Sequence, residues 1–247
     1  MVHHACVNRN HVKVYGEISS KMAFSHEVYG EKFYETELLV KRLSKKYDKV
    51  RIQISESLID TEKDYRGLFM EVSGQFRSHS RLVGSKHHLD LFVFVHELYV
   101  SSIESVYLTP NYIFLDGYIC KPSTLRTTPN GRIISDMLLA VNRPTGKSDY
   151  IPCICWGRIA QFVSNLNVGS HIQIKGRVQS REYEKRIYDN VNNPESFSVI
   201  IKTAYEISVY TVDSFNTAAK KLTTDVLSEP NQSVETGESE TKIDQIT

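Results

Sequence analysis

Leu115-Asp116-Gly117-Tyr118-Ile119 repeats the pattern of Val14-Tyr15-Gly16-Glu17-Ile18 at an offset of 101 residues. The same offset pairs Leu38 with Leu139, Arg42 with Arg143 and Asp48 with Asp149. It also lays Val50-Arg51-Ile52-Gln53-Ile54 on Ile151-Pro152-Cys153-Ile154-Cys155. At 102 residues Gly67 and Gly74 meet Gly169 and Gly176, and Met70-Glu71-Val72-Ser73-Gly74 aligns with Ile172-Gln173-Ile174-Lys175-Gly176. A nearly constant offset over several blocks marks a tandem duplication.

Each half reads as β-strands, short runs rich in Val, Ile, Tyr and Phe broken by turn residues. In the second half strands are expected at about Tyr112 to Ile119, Arg132 to Asn142, Tyr150 to Trp156, His171 to Arg181 and Phe197 to Tyr210. Pro129-Asn130-Gly131 supplies a hairpin turn, since Asn-Gly tolerates positive φ. Ile159, Phe162, Val163 and Leu166 fall at i, i+3, i+4 and i+7, one apolar stripe of a short helix that Gly169 ends. Five strands with a helix between the third and fourth is the plan of the OB-fold, a partly open barrel. The first half repeats it from about His11 to Val100, with only Leu58 and Ile59 to begin a stripe in Ser55 to Arg66.

The expected fold is therefore all-β: two tandem OB-fold five-stranded barrels, each with a short helix between strands 3 and 4, plus a disordered C-terminal tail. The domain reading is a first barrel at 1–100, a linker at 101–110, a second barrel at 111–213 and an acidic tail at 214–247.

Of the 247 residues, 40% are hydrophobic and 24% charged, the balance of a globular chain. No apolar run approaches the roughly 20 residues that span a bilayer. Met1 to Asn10 lack the apolar core of a signal peptide, so a cytoplasmic location is expected. Cys153 and Cys155, two apart, point to one face of a strand and read as small core fillers in a reduced compartment. From Thr224 onward the net charge is −5, against +6 for the rest. A mildly basic body with an acidic tail fits a nucleic-acid binder.

The second half resembles the bacterial single-stranded DNA-binding protein family. The resemblance rests on Asn111-Tyr112-Ile113-Phe114-Leu115-Asp116-Gly117, the turn Leu125-Arg126-Thr127-Thr128-Pro129-Asn130-Gly131, Leu139-Ala140-Val141-Asn142-Arg143, and Asp149-Tyr150-Ile151-Pro152-Cys153-Ile154-Cys155-Trp156-Gly157-Arg158-Ile159-Ala160. It covers about Asn111 to Tyr210, and the first half looks like a diverged copy. The resemblance implies base stacking on Tyr150, Trp156 and Tyr183. It also implies four barrels per assembly, hence a homodimer of this chain. Two departures stand out. The aromatic that the family carries in the loop after the second strand has no counterpart among Asn142 to Ser148, and Asp116 sits in a strand the family keeps apolar.

The residues support the same site. Tyr150 and Trp156 share a strand face, leaving Ile151, Cys153 and Cys155 for the interior. Pro152 fits best at an edge or bulge. Stacking is worth about 1–3 kcal/mol per base and tolerates any sequence. Lys121, Arg126, Arg132, Arg143, Lys147, Lys175, Arg177 and Arg181, with Lys185 and Arg186, are the candidates for phosphate neutralisation. Spacing alone leaves two readings of Trp156: stacking on a base, or packing under the following helix or against a partner. In the first half Lys49, Ser55 and Arg81 stand where the second has Tyr150, Trp156 and Tyr183. That half is either a weaker electrostatic site, with Lys49, Arg51, Arg77, Arg81 and Lys86 tracking a backbone, or a barrel kept for assembly. Phe33 or Tyr34 could supply a ring or lie buried.

Chemistry beyond binding is not expected. Gly146-Lys147-Ser148 lacks the first Gly of a phosphate loop, Val141 standing in its place. His3-His4 and His87-His88 are pairs without a ligand cluster, so no metal and no cofactor are anticipated. No nucleophile, base and acid come together, and the chain is not read as an enzyme. The expected function is sequence-tolerant binding of single-stranded DNA in replication, repair or recombination. The alternative is an OB-fold assembly module of a primosome or mobile-element machine, and RNA is a third possible ligand. The family commonly ends in an acidic tip with an apolar last residue that docks replication and repair enzymes. Lys242-Ile243-Asp244-Gln245-Ile246-Thr247 departs from that pattern, which points to a specialised role.

Overall fold

The computed structural model describes residues 9–84, 86–107, 109–188 and 197–215. The expectation of a disordered tail falls almost wholly outside them, as do His3, His4, Cys6 and the side chain of His87. In the first half the strands are β1 (Asn10–Ile18), β2 (Ala23–Val28), β3 (Glu31–Lys41), β4 (Tyr47–Ser55), β5 (Phe69–Val83) and β6 (Lys86–Ser101). In the second they are β7 (Asn111–Ile119), β8 (Thr124–Thr127), β9 (Ile133–Asn142), β10 (Ser148–Trp156), β11 (His171–Tyr188) and β12 (Phe197–Phe215), with helix α1 (Gly157–Ser164) after β10.

Alternation of side chains decides each strand. In β1, Val12, Val14 and Ile18 are buried while Lys13, Tyr15 and Glu17 face outward. The order across the sheet is β2-β3-β4-β6-β5-β1-β7-β11-β12-β10-β9-β8, a sequence that reads the same from either end under the repeat. Each half closes on itself, β1 pairing with β3 and β7 with β9, so five strands form each barrel and β2 or β8 extends a hairpin from it. The repeated glycines sit where closure demands them. A Cβ on Gly16 would lie 2.5 Å from the carbonyl oxygen of Leu39, and one on Gly117 2.5 Å from that of Ala140. The bulges match as well, falling between Ser73 and Gly74 and between Lys175 and Gly176.

Two expectations need correction. The first barrel has no helix between its third and fourth barrel strands; residues 56–68 form turns. The cause is local. Asp60 Oδ1 accepts the Glu62 N–H and Asp64 Oδ1 accepts the Arg66 N–H, Asx bonds that compete with helix. In α1 the buried side is Ala160 and Val163, continued by Leu166, whereas Phe162 is 43% exposed. The apolar stripe is thus rotated towards the small Ala160, which lets the helix lie close on the barrel.

The barrels join edge to edge. β1 and β7 run antiparallel, with Asn10 opposite Leu115, Val14 opposite Asn111 and Val12 opposite Ile113 at the centre. Val12 and Ile113 are repeat counterparts, so a pseudo-twofold axis passes between them. Asn10 exchanges two hydrogen bonds with the backbone of Phe76 (2.7 and 2.8 Å), and Asn111 does the same with Val178 (2.8 and 2.9 Å). The unusual Asp116 is held by the His171 Nε2 at 2.6 Å and the Gln173 amide at 2.9 Å, which satisfies a carboxylate on a mostly apolar strand.

Candidate nucleic-acid interface

β10 carries the centre of the candidate site. Ile151, Cys153 and Cys155 turn into the barrel, and burial pushes the Cys153 thiol well up and that of Cys155 to about 12. Tyr150, Pro152, Ile154 and Trp156 therefore share the outer face. Tyr150 is 47% exposed and Trp156 half-buried, some six residues or about 20 Å along the strand. Pro152 pairs in register with Leu138 and makes no bulge. Its ring is tolerated because β12 pairs with β10 only at Cys153 and Ile154, so the other edge is open at residue 152.

Tyr183 is 39% exposed on the arm formed by β11 and β12, opposite Lys202. It lines a depression of about 420 Å³ together with Pro152, and Arg51, Asp90 and Leu91 of the first barrel form the far wall. The rings of Tyr150 and Tyr183 thus flank one outer wall. At its other end Trp156 lies on a rung that runs through Ile134 to Arg126.

The basic residues divide into two sets. Lys121, Arg132, Lys147 and Arg181 are exposed, and Arg181 stands over the Tyr183 ring at 5.8 Å. Arg126 is exposed but pairs with Asp136 at 2.5 Å. Lys175 is exposed on the β7–β11 wall, opposite Phe114 and Thr211, away from the β10 face. Arg143 and Arg177 sit elsewhere than expected. Arg143 binds the buried Asp149 through Nε (2.8 Å) and Nη2 (2.5 Å) and also donates to the Ser78 carbonyl at 3.1 Å. Arg177 reaches Asp48 at 2.7 Å. Both guanidiniums are taken up by buried carboxylates at the boundary between barrels: Asp149 lies in Arg143's own barrel, whereas the Arg177–Asp48 pair and the Arg143–Ser78 bond cross from one barrel to the other. The Lys185 and Arg186 side chains lie outside those described.

Sequence reasoning missed Glu206. It lies on β12, accepts from Gln179 Nε2 at 2.9 Å, and sits near Arg181, Arg126 and Asp136. Burial raises its carboxyl above the usual range. No pattern along the chain marks a single acid that becomes half-buried only by strand pairing. Among the described residues no cluster of His, Cys, Asp and Glu is placed to hold a metal, and no helix is long and apolar enough to cross a membrane.

Residues 110–212 match the model of the single-strand binding protein family. The second barrel is the part of the chain that is similar to this family. Single-stranded DNA-binding protein 3 of Listeria innocua is 39% identical over 89 residues, covering 32% of this chain and 56% of that protein. Single-stranded DNA-binding protein A of Bacillus subtilis is 41% identical over 83 residues, covering 31% of this chain and 48% of that one. The chain thus spans about half the length of the curated relatives it matches. The crystal structure of the wild-type single-stranded DNA binding protein from Thermus aquaticus superposes with a TM-score of 0.56 at 13% identity, over 92% of this chain and 96% of that one. That likeness extends the fold of the single-strand binding family across both barrels.

Proposed function

We propose that the chain binds single-stranded DNA with little sequence preference, as a non-catalytic protein of replication, repair or recombination in the cytoplasm. The observation that carries this reading is the outer wall of the second barrel. Tyr150, Trp156 and Tyr183 stand there on a rigid sheet, two of them well exposed, in the half that is similar to the single-strand binding family. Each ring offers a π-face that any base can cover, worth about 1–3 kcal/mol. Lys121, Arg126, Arg132, Lys147 and Arg181 neutralise phosphates around them. Arg143 and Arg177 instead hold the barrels together, and Lys175 serves a strand that wraps around the β7–β11 wall. Two chains pair to present four barrels.

Gel-shift titration with oligo-dT tests the reading. The Tyr150→Ala, Trp156→Ala and Tyr183→Ala variants should each bind about five- to a hundredfold more weakly. Unchanged affinity in all three would reject the site. Competition by oligo-U decides between DNA and RNA.

The second reading is an assembly module for other proteins. Its support is the first barrel, where Arg51 is held between Glu35 (3.0 Å) and Asp90 (3.5 Å) on the wall that corresponds to the ring-bearing one. A chain that fails to shift oligo-dT at low salt yet co-purifies with a protein partner would favour it.

A further inference from the structure

The β3–β4 hairpin and the linker between the barrels enclose an open pocket of about 360 Å³ on the first barrel. Its floor is apolar: Tyr15 on β1, Leu39 on β3, Phe69 on β5 and Tyr107 of the linker. The linker is fastened there. The Tyr15 N–H donates to the Pro110 carbonyl at 2.8 Å, and the Ser105 N–H donates to the Tyr15 hydroxyl at 2.5 Å. The Tyr107 ring lies 4.3 Å from that of Tyr15, and its hydroxyl donates to Glu71, which pushes the phenol up to about 12. The pocket is therefore preformed. Its lips are apolar too: Leu43 and Val106 are each 99% exposed, and Tyr47 is exposed beside them. Bare apolar side chains around a concave floor mark an interaction site.

The repeat shows that this pocket is a change made in the first barrel alone. At the offset of 101, Lys41, Leu43, Lys45 and Tyr47 stand where the second barrel has Asn142, Pro144, Gly146 and Ser148. Tyr15 and Leu39 take the places of Asp116 and Ala140, and at 102 Phe69 takes that of His171. Each departure enlarges the apolar surface or adds a positive charge. Lys45 is held at a φ of 64°, in the left-handed region that Gly146 occupies at 81°. A lysine there is carried against the backbone's preference. The hairpin tip is cationic: Lys41, Lys45 and Lys46 stand against Glu17 and Glu104. Glu104 lies 3.6 Å from Lys41, but both side chains are more than half exposed, so the pair is worth little. Among the described residues no carboxylate pairs with Lys45 or Lys46.

We propose that this pocket docks an acidic peptide segment of another protein, one that inserts an aromatic or branched apolar side chain. The side chain rests on Tyr15, Leu39 and Phe69 between Leu43 and Val106, and the flanking carboxylates meet the three lysines. The volume lies in the range of ligand pockets, about 300–1,000 Å³. None of the lining residues borders the depression beside Tyr183, so peptide and single-stranded DNA use different parts of the chain. The proposal goes beyond the single-strand reading of the second barrel and does not depend on it.

The probe is a fluorescein-labelled peptide, acetyl-Glu-Asp-Leu-Phe-Asp-Glu-amide, titrated with the full chain and followed by anisotropy. Saturable binding is expected, weaker as salt rises. Replacing Leu-Phe in the peptide by Ser-Ser should weaken it about tenfold or more. Leu43→Ser combined with Lys45→Gly in the protein should do the same. Both side chains are exposed and glycine suits the φ of residue 45, so the fold is spared. Pro144→Ser, the matching change on the second barrel, should leave the affinity unchanged. No saturable binding at low salt overturns the proposal. So does equal binding of the Ser-Ser peptide, which would be charge alone, and so does binding that survives the double variant, which would lie elsewhere. Oligo-dT should not displace the peptide, and displacement overturns the proposal in favour of nucleic acid at the hairpin tip. Quenching of Trp156 by oligo-dT in the same chain reports on the second-barrel site separately.

Discussion

The backbone N–H of Ser78, on a strand of the first barrel, donates to Oδ1 of Asp149 in the second at 2.6 Å. Its mirror is the N–H of Ser180, which donates to Oδ1 of Asp48 at 2.8 Å. Arg42 and Arg143 complete the two clamps, each also reaching the carbonyl of the serine opposite, at 3.0 and 3.1 Å. Both carboxylates are buried. Replacing Asp149 by Ala leaves the half-buried Arg143 without its counter-ion, and breaking such a pair costs about 3–5 kcal/mol. Chemical denaturation should show that loss for Asp149→Ala and a similar one for Asp48→Ala, with the barrels unfolding less cooperatively. A loss under about 1 kcal/mol in both would show that the clamps do not bind the barrels together.

Gly16 and Gly117 make the barrels close. A methyl group at either position meets a backbone oxygen at 2.5 Å, an atom that cannot swing aside. Gly16→Ala and Gly117→Ala should each lower stability by about 1–3 kcal/mol. The same substitution at Gly146, whose added Cβ meets nothing within 4 Å, strains only the backbone at its positive φ. Thermal melts of the three variants compare the two effects, and equal losses at Gly117 and Gly146 would contradict the closure argument.

Much of this was legible in the chain. The offset that joins Gly16 to Gly117 and Asp48 to Asp149 gave two barrels without reference to any relative. Alternation put Tyr150 and Trp156 outside and both β10 cysteines inside. What stayed hidden depends on contacts across strands. Arg143 and Arg177 look like any other basic residue along the chain: Arg177 finds its carboxylate, Asp48, only in the neighbouring barrel, and Arg143 is turned inward by Asp149 of its own barrel and the Ser78 carbonyl of the other. Comparing the halves by offset shows Ser55 in place of Trp156 but cannot show that Phe33 stands beside it. The missing helix after β4 follows from Asp60 and Asp64, whose local bonds outweigh a repeat that is otherwise faithful.

Glu206 should make DNA binding depend on pH. Burial raises its carboxyl, helped by Asp136 and opposed by Arg181, Arg126 and the Gln179 amide. A phosphate nearby raises it further, so binding takes up protons and tightens as pH falls through the raised value. The sign for stability agrees: the contribution is present at low pH and is lost as pH rises through the folded-state value. Glu206→Gln should bind oligo-dT about two- to fivefold more tightly at neutral pH and flatten the profile, removing a repulsion of about 0.5–1 kcal/mol. A variant with unchanged affinity and profile would place Glu206 off the DNA path.

The β10 thiols should be inert in the folded protein. Cys153 and Cys155 are buried and their pKa values raised, whereas Cys120 is only part-buried. Of these three, mass-mapped labelling with iodoacetamide should modify Cys120 first, and Cys153 and Cys155 only when denaturant is added. Early labelling of Cys153 would mean that β10 opens readily.

The measurement closest to the central claim is a fluorescence titration of the unmodified chain with oligo-dT. Trp156 is the sole tryptophan, so its emission reports on the second barrel alone. The expected result is saturable quenching that weakens steeply as salt rises, from base stacking on the ring and release of counter-ions from the phosphates. Emission that stays constant at low salt and excess oligo-dT would contradict it, and would return the outer wall of β10 to a surface for protein assembly.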